Sequence, residues 1–114
     1  MLPSAHRLTD AETFRRTSRT GRRSSSRTLV VHLAGLDSPD LRVGFVVSKA
    51  VGNSVVRNRV KRRLRHLVRD RLSALPASGA LVVRALPAAG GASSEELGAD
   101  LDRCLGRVQP RDAA

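Results

Sequence analysis

The chain has 114 residues, 21 Lys and Arg against 10 Asp and Glu, and a net charge of +11, so it offers one modest core and a surface suited to a polyanionic partner. One cysteine excludes an internal disulfide, and no Cys/His cluster stands at zinc spacing. No apolar run approaches the roughly 20 residues that span a bilayer, and Met1 to Arg7 hold no apolar signal region, so a cytoplasmic protein without a membrane partner is expected.

The pattern predicts one RNA-binding domain over residues 1–114, with flexible ends at about 1–6 and 109–114. Thr9 and Glu12 form a capping box for a helix through about Thr20, with Gly21 as its stop; Phe14, Arg15, Arg16 and Arg19 lie on it. Arg22, Arg23 and Arg27 follow in an expected loop around Ser24-Ser25-Ser26. Thr28 to Leu33 is a β-branched, apolar strand. After a turn-rich stretch from Gly35 to Asp40, Leu41 to Ser48 forms another strand, with Val43, Phe45 and Val47 on one side. Joined by so short a turn, these two strands are expected to pair as an antiparallel hairpin. A basic helix begins after Asn53 or Ser54 and runs to about Ala74, ended by Pro76 and Gly79. Ala80 to Leu86 is a strand and Pro87 to Ala92 a loop. Ser93 and Glu96 form a second capping box for a helix whose Leu97, Leu101, Cys104, Leu105 and Val108 face a core. Cys104 is thus expected to be a buried structural thiol. The order is α-β-β-(β)-α-β-α, an α+β fold. Residues 41–86 form a strand–helix–strand unit, the usual source of parallel strands, with a right-handed crossover as the default.

The basic helix has two faces. Val56, Val60, Leu64, Leu67 and Val68 fall on one; Asn58, Arg62, Arg65 and Arg69 fall on the other, flanked by Arg59 and Lys61. From Arg57 to Arg71 the only acid is Asp70. Ordinary solvated faces pair Glu with Lys or Arg one turn on. Here the like charges repel, so the face is expected to meet a polyanion.

The string from Gly52 to Arg62, Gly-Asn-Ser-Val-Val-Arg-Asn-Arg-Val-Lys-Arg, resembles the signature of the bacterial ribonuclease P protein family, K-x-x-G-N-A/S-V-x-R-N-R-x-K-R. Lys49, Gly52, Asn53, Val55, Arg57, Asn58, Arg59, Lys61 and Arg62 all match it. Weaker matches extend over nearly the whole chain in the family's order: Arg7-Leu8, the Phe14 helix, the Leu41 to Ser48 strand, Val82 to Ala88 and the last helix. The resemblance implies a single-domain α/β sandwich of the ribonuclease P protein type, with a left-handed β-α-β crossover. It also implies a protein subunit that binds a catalytic RNA and the 5′ leader of precursor tRNA and assists endonucleolytic removal of that leader. The active site and its magnesium ions would then belong to the RNA, with no cofactor in the protein. The residues expected against the catalytic RNA are Lys49, Asn53, Arg57, Asn58, Arg59, Lys61, Arg62, Arg65 and Arg69. Those expected at the leader are Phe14, Arg15, Arg19 and His32.

The chain departs from the family in its aromatics, which are only Phe14 and Phe45. Ser18 stands where the family often has Phe, and His32 where it often has Tyr. Stacking is worth about 1–3 kcal/mol per base, so the cleft is expected either to grip a leader more weakly or to lean on Arg15, Arg19 and His32. Phe14 suits a core or a stacking role; Phe45 suits the core. No carboxylate cluster is spaced for two metal ions about 4 Å apart, and His6, His32 and His66 form no nucleophile–base set. No residue is therefore expected to be catalytic. A stand-alone RNA-binding protein of ribosomal or translation-associated type is the alternative. A helix-turn-helix DNA binder fits poorly, since no partner helix lies a short turn before the basic one.

Overall fold

The computed structural model describes residues 21–35 and 40–109. The expected N-terminal helix, with Phe14, Arg15 and Arg19, lies outside the described residues, as do most of the turn after Gly35 and the last residues of the tail.

Four strands form one mixed sheet: β1 (Arg22–Ser25), β2 (Leu29–Ala34), β3 (Leu41–Val46) and β4 (Gly79–Ala85), in the spatial order β1-β2-β4-β3. The expected hairpin between β2 and β3 does not form. Instead β4 lies between them, antiparallel to β2 and parallel to β3. The physical reason is apolarity. From Ala80 to Val83 every residue is fully buried, which suits a central strand covered on both sides. The expected loop at residues 22–25 is also corrected. It is strand β1, paired antiparallel to β2 with Arg22 opposite Leu33 and Ser25 opposite Val30. As an edge strand it buries only Ser24, so it carries no apolar alternation. β4 starts at Gly79 with φ +118, where a Cβ would stand 2.6 Å from the Ala34 carbonyl oxygen, so only glycine lets the two strand ends meet.

Helix α1 (Ser54–Arg69) connects β3 to β4, and helix α2 (Ser94–Val108) closes the chain. Both bury their apolar stripes on one side of the sheet. Val60, Leu64 and Val68 of α1 and Leu97, Leu101, Cys104, Leu105 and Val108 of α2 join Leu29, Val31, Leu33, Leu41, Val43, Leu81 and Val83 in the main core. Burial of each such aliphatic chain is worth about 1.5–3 kcal/mol. Phe45 packs against the same cluster, as do Val56 and Leu67. The alternate residues of the strands face the other way, where Ala80, Val82 and Val46 form a small second cluster.

α1 is shorter than expected. It ends at Arg69, and a separate 3-10 turn over Leu72–Ala74 follows. Arg71 marks the break. Its guanidinium caps the helix by donating to the Leu67 carbonyl at 2.9 Å and binds both carboxylate oxygens of Asp102 on α2. α2 begins with the expected capping box: Ser93 Oγ accepts from Glu96 N–H, and Glu96 Oε1 accepts from Ser93 N–H, both at 3.1 Å.

One buried polar contact ties α2 to the sheet. Thr28 Oγ1, just before β2, donates to Asp100 Oδ2 at 2.5 Å, and Arg103 donates to the other oxygen at 3.3 Å. The Thr28 hydrogen bond is the main reason the Asp100 carboxyl ionises below its ordinary range. Its contribution is present above the unfolded-state carboxylate pKa and is lost as pH falls through the depressed folded value. Thr28→Val is therefore expected to lower unfolding free energy by about 1.5–3 kcal/mol at pH 7. The gap from the parent protein should close under acid conditions; urea titrations at several pH values measure it.

Candidate nucleic-acid interface

The basic helix is aimed by the turn before it. Lys49–Val51 form a 3-10 turn, and Gly52 follows with φ +155. A Cβ on Gly52 would sit 2.9 Å from Val56 Cβ, so the chain enters the helix at an angle only glycine allows. Asn53 is the N-cap: its Oδ1 accepts from Val56 N–H at 3.0 Å. Facing this entry is a 3-10 turn over Pro87–Gly91, after β4. Gly90 lies so close that a Cβ there would collide with the Val51 carbonyl oxygen. Two arginines one helical turn apart hold this turn, Arg59 donating to Gly90 O at 3.1 Å and Arg63 to Ala92 O at 3.0 Å.

Two of the expected RNA contacts thus have intramolecular work. Asn53 caps the helix, and Arg59 clamps the loop after β4. Arg57 is half-buried, with a terminal nitrogen 3.3 Å from Ser54 Oγ and its Nε buried without a partner.

The rest of the expected set faces outward. Asn58, Lys61, Arg62 and Arg65 line one concavity together with His66. Arg69 is exposed farther along the helix, and Lys49 is exposed on the turn before it. Among the described residues the ion pairs are Arg27–Glu96, Arg71–Asp102 and Arg103–Asp100, so no cation from Arg57 to Arg69 is neutralised by an acid. Asn58 is exposed, and its side chain makes no hydrogen bond among the described residues. Val55, 73% exposed, opens this face three residues before Asn58. His66 was not among the expected contacts; its signal was its place four residues after Arg62, one turn along the same face.

His32 lies elsewhere, on the sheet face turned away from both helices. Arg23 on β1 and Val82 on β4 are its cross-strand neighbours, and Arg84 stands opposite Val30 on the same face. His32 is only 7% exposed, and its Nδ1 has no hydrogen-bond partner. Burial first, then the charges of Arg23 and Arg84, hold its imidazole below the ordinary histidine range. The leader-cleft residues expected beside it lie outside the described residues. A separate concavity, lined by Arg22, Leu33, Pro76 and Val108 among others, opens at the end of β1 and β2 where Arg22 stands opposite Leu33, and among the described residues shares none with the basic one.

An α+β domain that turns a row of unpaired cations to solvent from a helix anchored at both ends belongs to the class of nucleic-acid-binding proteins. The Ribonuclease P family model matches residues 2–109, and the chain belongs to that family. It is 60% identical over 111 residues to a ribonuclease P protein component from a Nocardioides species, covering 95% of each chain. It is 54% identical over 117 residues, again with 95% of each covered, to the one from Streptomyces bikiniensis. Among solved structures, the Staphylococcus aureus RNase P protein superposes with a TM-score of 0.84 at 25% identity, over 91% of this chain and 95% of that one.

The two asparagines of the motif should separate cleanly. Asn53→Ala is expected to cost about 0.5–2 kcal/mol of stability through loss of the cap. Asn58→Ala should leave thermal unfolding close to that of the parent and weaken RNA binding, with the salt dependence of binding little changed. A melting curve and a binding titration on each variant check both.

Proposed function

We propose that this chain is the protein subunit of ribonuclease P, acting without a catalytic residue of its own. It binds the catalytic RNA through α1 and the turn before it, and it binds precursor tRNA at the 5′ leader, so that the RNA's active site removes the leader and forms the mature 5′ end. The observation that carries this reading is the outward face of α1, where Asn58, Lys61, Arg62, Arg65 and His66 share one concavity and the cations have no acid partner among the described residues. Such a face is costly to the isolated protein, and phosphates relieve it. Lys49, Arg57 and Arg69 extend the contact. Asn53 and Arg59 support it chiefly by fixing the helix entry.

The leader is assigned to the sheet face that carries His32, with Phe14, Arg15 and Arg19 completing the cleft. Among the described residues no group of three or more His, Cys, Asp or Glu side chains could hold a metal. Magnesium is assigned to the RNA subunit, and the whole chain is read as one RNA-binding domain. No helix among the described residues is long and apolar enough to cross a membrane. The cytoplasm, where tRNA precursors are made, is the compartment this reading assigns. A stand-alone RNA-binding role is disfavoured by membership of the ribonuclease P family.

Reconstitution tests the reading. Added to the catalytic RNA at low magnesium, the protein should accelerate cleavage of precursor tRNA at the mature 5′ end. The same protein freed of RNA should not cleave at any magnesium concentration; cleavage by RNA-free protein would overturn the assignment. If about 6–8 phosphates are engaged, log–log salt plots of RNA affinity should have slopes of about −4 to −7. Replacing Arg62 and Arg65 together by Ala should flatten that slope by about one to two, while an unchanged slope would place the RNA on another face.

A further inference from the structure

One flank of α1 carries a feature that neither its apolar stripe nor its outward cations account for. Val55, Arg59 and Arg63 follow one another at intervals of one turn, so they form a single row between the two faces. Val55 opens the row to solvent at 73% exposure. Arg59 and Arg63 are half-buried, and each donates a guanidinium N–H to a backbone carbonyl in the segment after β4, Gly90 at 3.1 Å and Ala92 at 3.0 Å. Arg63 stands inside the basic run, yet it does not line the concavity that Lys61, Arg62 and Arg65 share.

The same two bonds fix the 3-10 turn over Pro87–Gly91 against the entrance of α1. The inner side of this turn is closed: Ala89 is fully buried, and a Cβ on Gly90 would stand 2.4 Å from the Val51 carbonyl oxygen. Its outer side is open. Pro87 and Gly91 are exposed, and a Cβ on Gly91 would meet nothing within 4 Å. Gly91 does not have a positive φ either. Packing and backbone conformation thus require glycine at position 90 and leave position 91 free. From Leu86 to Ser94 there is no charged residue. With Ala50 and Val55, both exposed, the turn makes a short-chained, uncharged ledge at the head of a cationic helix. Such a ledge lets another backbone come close, which suits the sugars and bases of a strand whose phosphates lie on α1.

We propose that the turn over Pro87–Gly91 is a second wall of the RNA surface, taking the sugar and base side of the strand held on α1, and that Arg63 is the positioning residue that keeps this wall in place. The wall contributes shape and uncharged contact, while the outward cations contribute charge. Arg63 meets no phosphate. Its guanidinium serves RNA binding through the Ala92 carbonyl, as that of Arg59 does through the Gly90 carbonyl.

The inference rests on the reading that α1 binds the catalytic RNA, and the test separates the two. Affinity of the full chain for the catalytic RNA of ribonuclease P is measured over a salt series, beside a melting curve for each variant. Gly91→Val is expected to bind about 10-fold more weakly, since a side chain forced into a close contact costs what overpacking costs in a core. Gly91→Ala, the smaller change, should lose less, and it decides the matter if the larger one lowers stability. Both should keep the parent's salt slope, because no phosphate contact is removed. Gly106 supplies the control: it is exposed on α2 with nothing within 4 Å of a Cβ, and Gly106→Val should bind RNA as the parent does. Arg63→Met, which keeps the apolar stem and loses the donors, should weaken binding several-fold at an unchanged slope. Arg63→Lys, which keeps a donor for Ala92, should restore most of the affinity. Gly91 variants that bind as tightly as the parent overturn the wall, and a slope flattened by about one in Arg63→Met overturns the positioning role. Either result leaves the α1 reading intact where Arg62 and Arg65 still set the slope. RNA binding that is indifferent to Arg62, Arg65 and Gly91 alike overturns both.

Discussion

The rotation of α1 about its own axis is the constraint on which the rest of this surface depends. Val60, Leu64 and Val68 are fully buried, spaced four residues apart. They leave the helix one orientation on the sheet, and in it Asn58, Arg62 and Arg65 must point to solvent. A roll of even one residue, about 100°, would bring a guanidinium into the core, at a desolvation cost of several kcal/mol. The apolar seam thus acts as the alignment device for the cations.

Axial position needs a second device, and the motif supplies it. Gly52 sets the bend into the helix, Asn53 ends it in register, and Arg59 with Arg63 reaches back to the carbonyls of Gly90 and Ala92. Gly52, Asn53 and Arg59, which read as parts of an RNA-contact signature, are therefore architecture that holds the rest of it in place. Comparison of the two helices makes the same point. α2 has a complete capping box, Glu95 and Glu96 in its first turn and Arg107 in its last, all favourable to the helix dipole. α1 has no acid in its first turn and a row of unpaired cations beyond it. α2 is built to stabilise the domain; α1 accepts a less stable composition in exchange for a surface that phosphate completes.

The sequence made both apolar stripes legible, because a period near 3.6 survives without any knowledge of what covers it. Val60, Leu64 and Val68, and Leu97, Leu101, Cys104, Leu105 and Val108, are buried as the spacing requires. The capping box at Ser93 was legible too, being local chemistry, whereas Asn53, read as an RNA contact, is the N-cap of α1. Strand order was not. Nothing between Ala34 and Leu41 reveals that β4, some 40 residues later, will separate β2 from β3. β1 escaped notice because an edge strand is held by backbone pairing, so Arg-Arg-Ser-Ser can serve. In the site, exposed cations were identifiable as a face. The clamp made by Arg59 was not, since its acceptor is a backbone carbonyl 31 residues away and carries no side-chain signature. The lowering of His32's pKa likewise rests on burial and on Arg23 and Arg84, which stand on two other strands.

The order β1-β2-β4-β3 also governs the sequence of events on the ribosome. Within the sheet β3 pairs with β4 alone. While the chain is still being made, β3 and the whole of α1 have no sheet to join until Gly79–Ala85 has emerged. The clamp on the helix entry waits longer still, for Gly90 and Ala92. A nascent chain that already carries every cation of α1 thus lacks the framework that aligns them. The order of synthesis keeps a strongly basic segment from presenting a finished binding surface to the RNA-rich surroundings of its own translation.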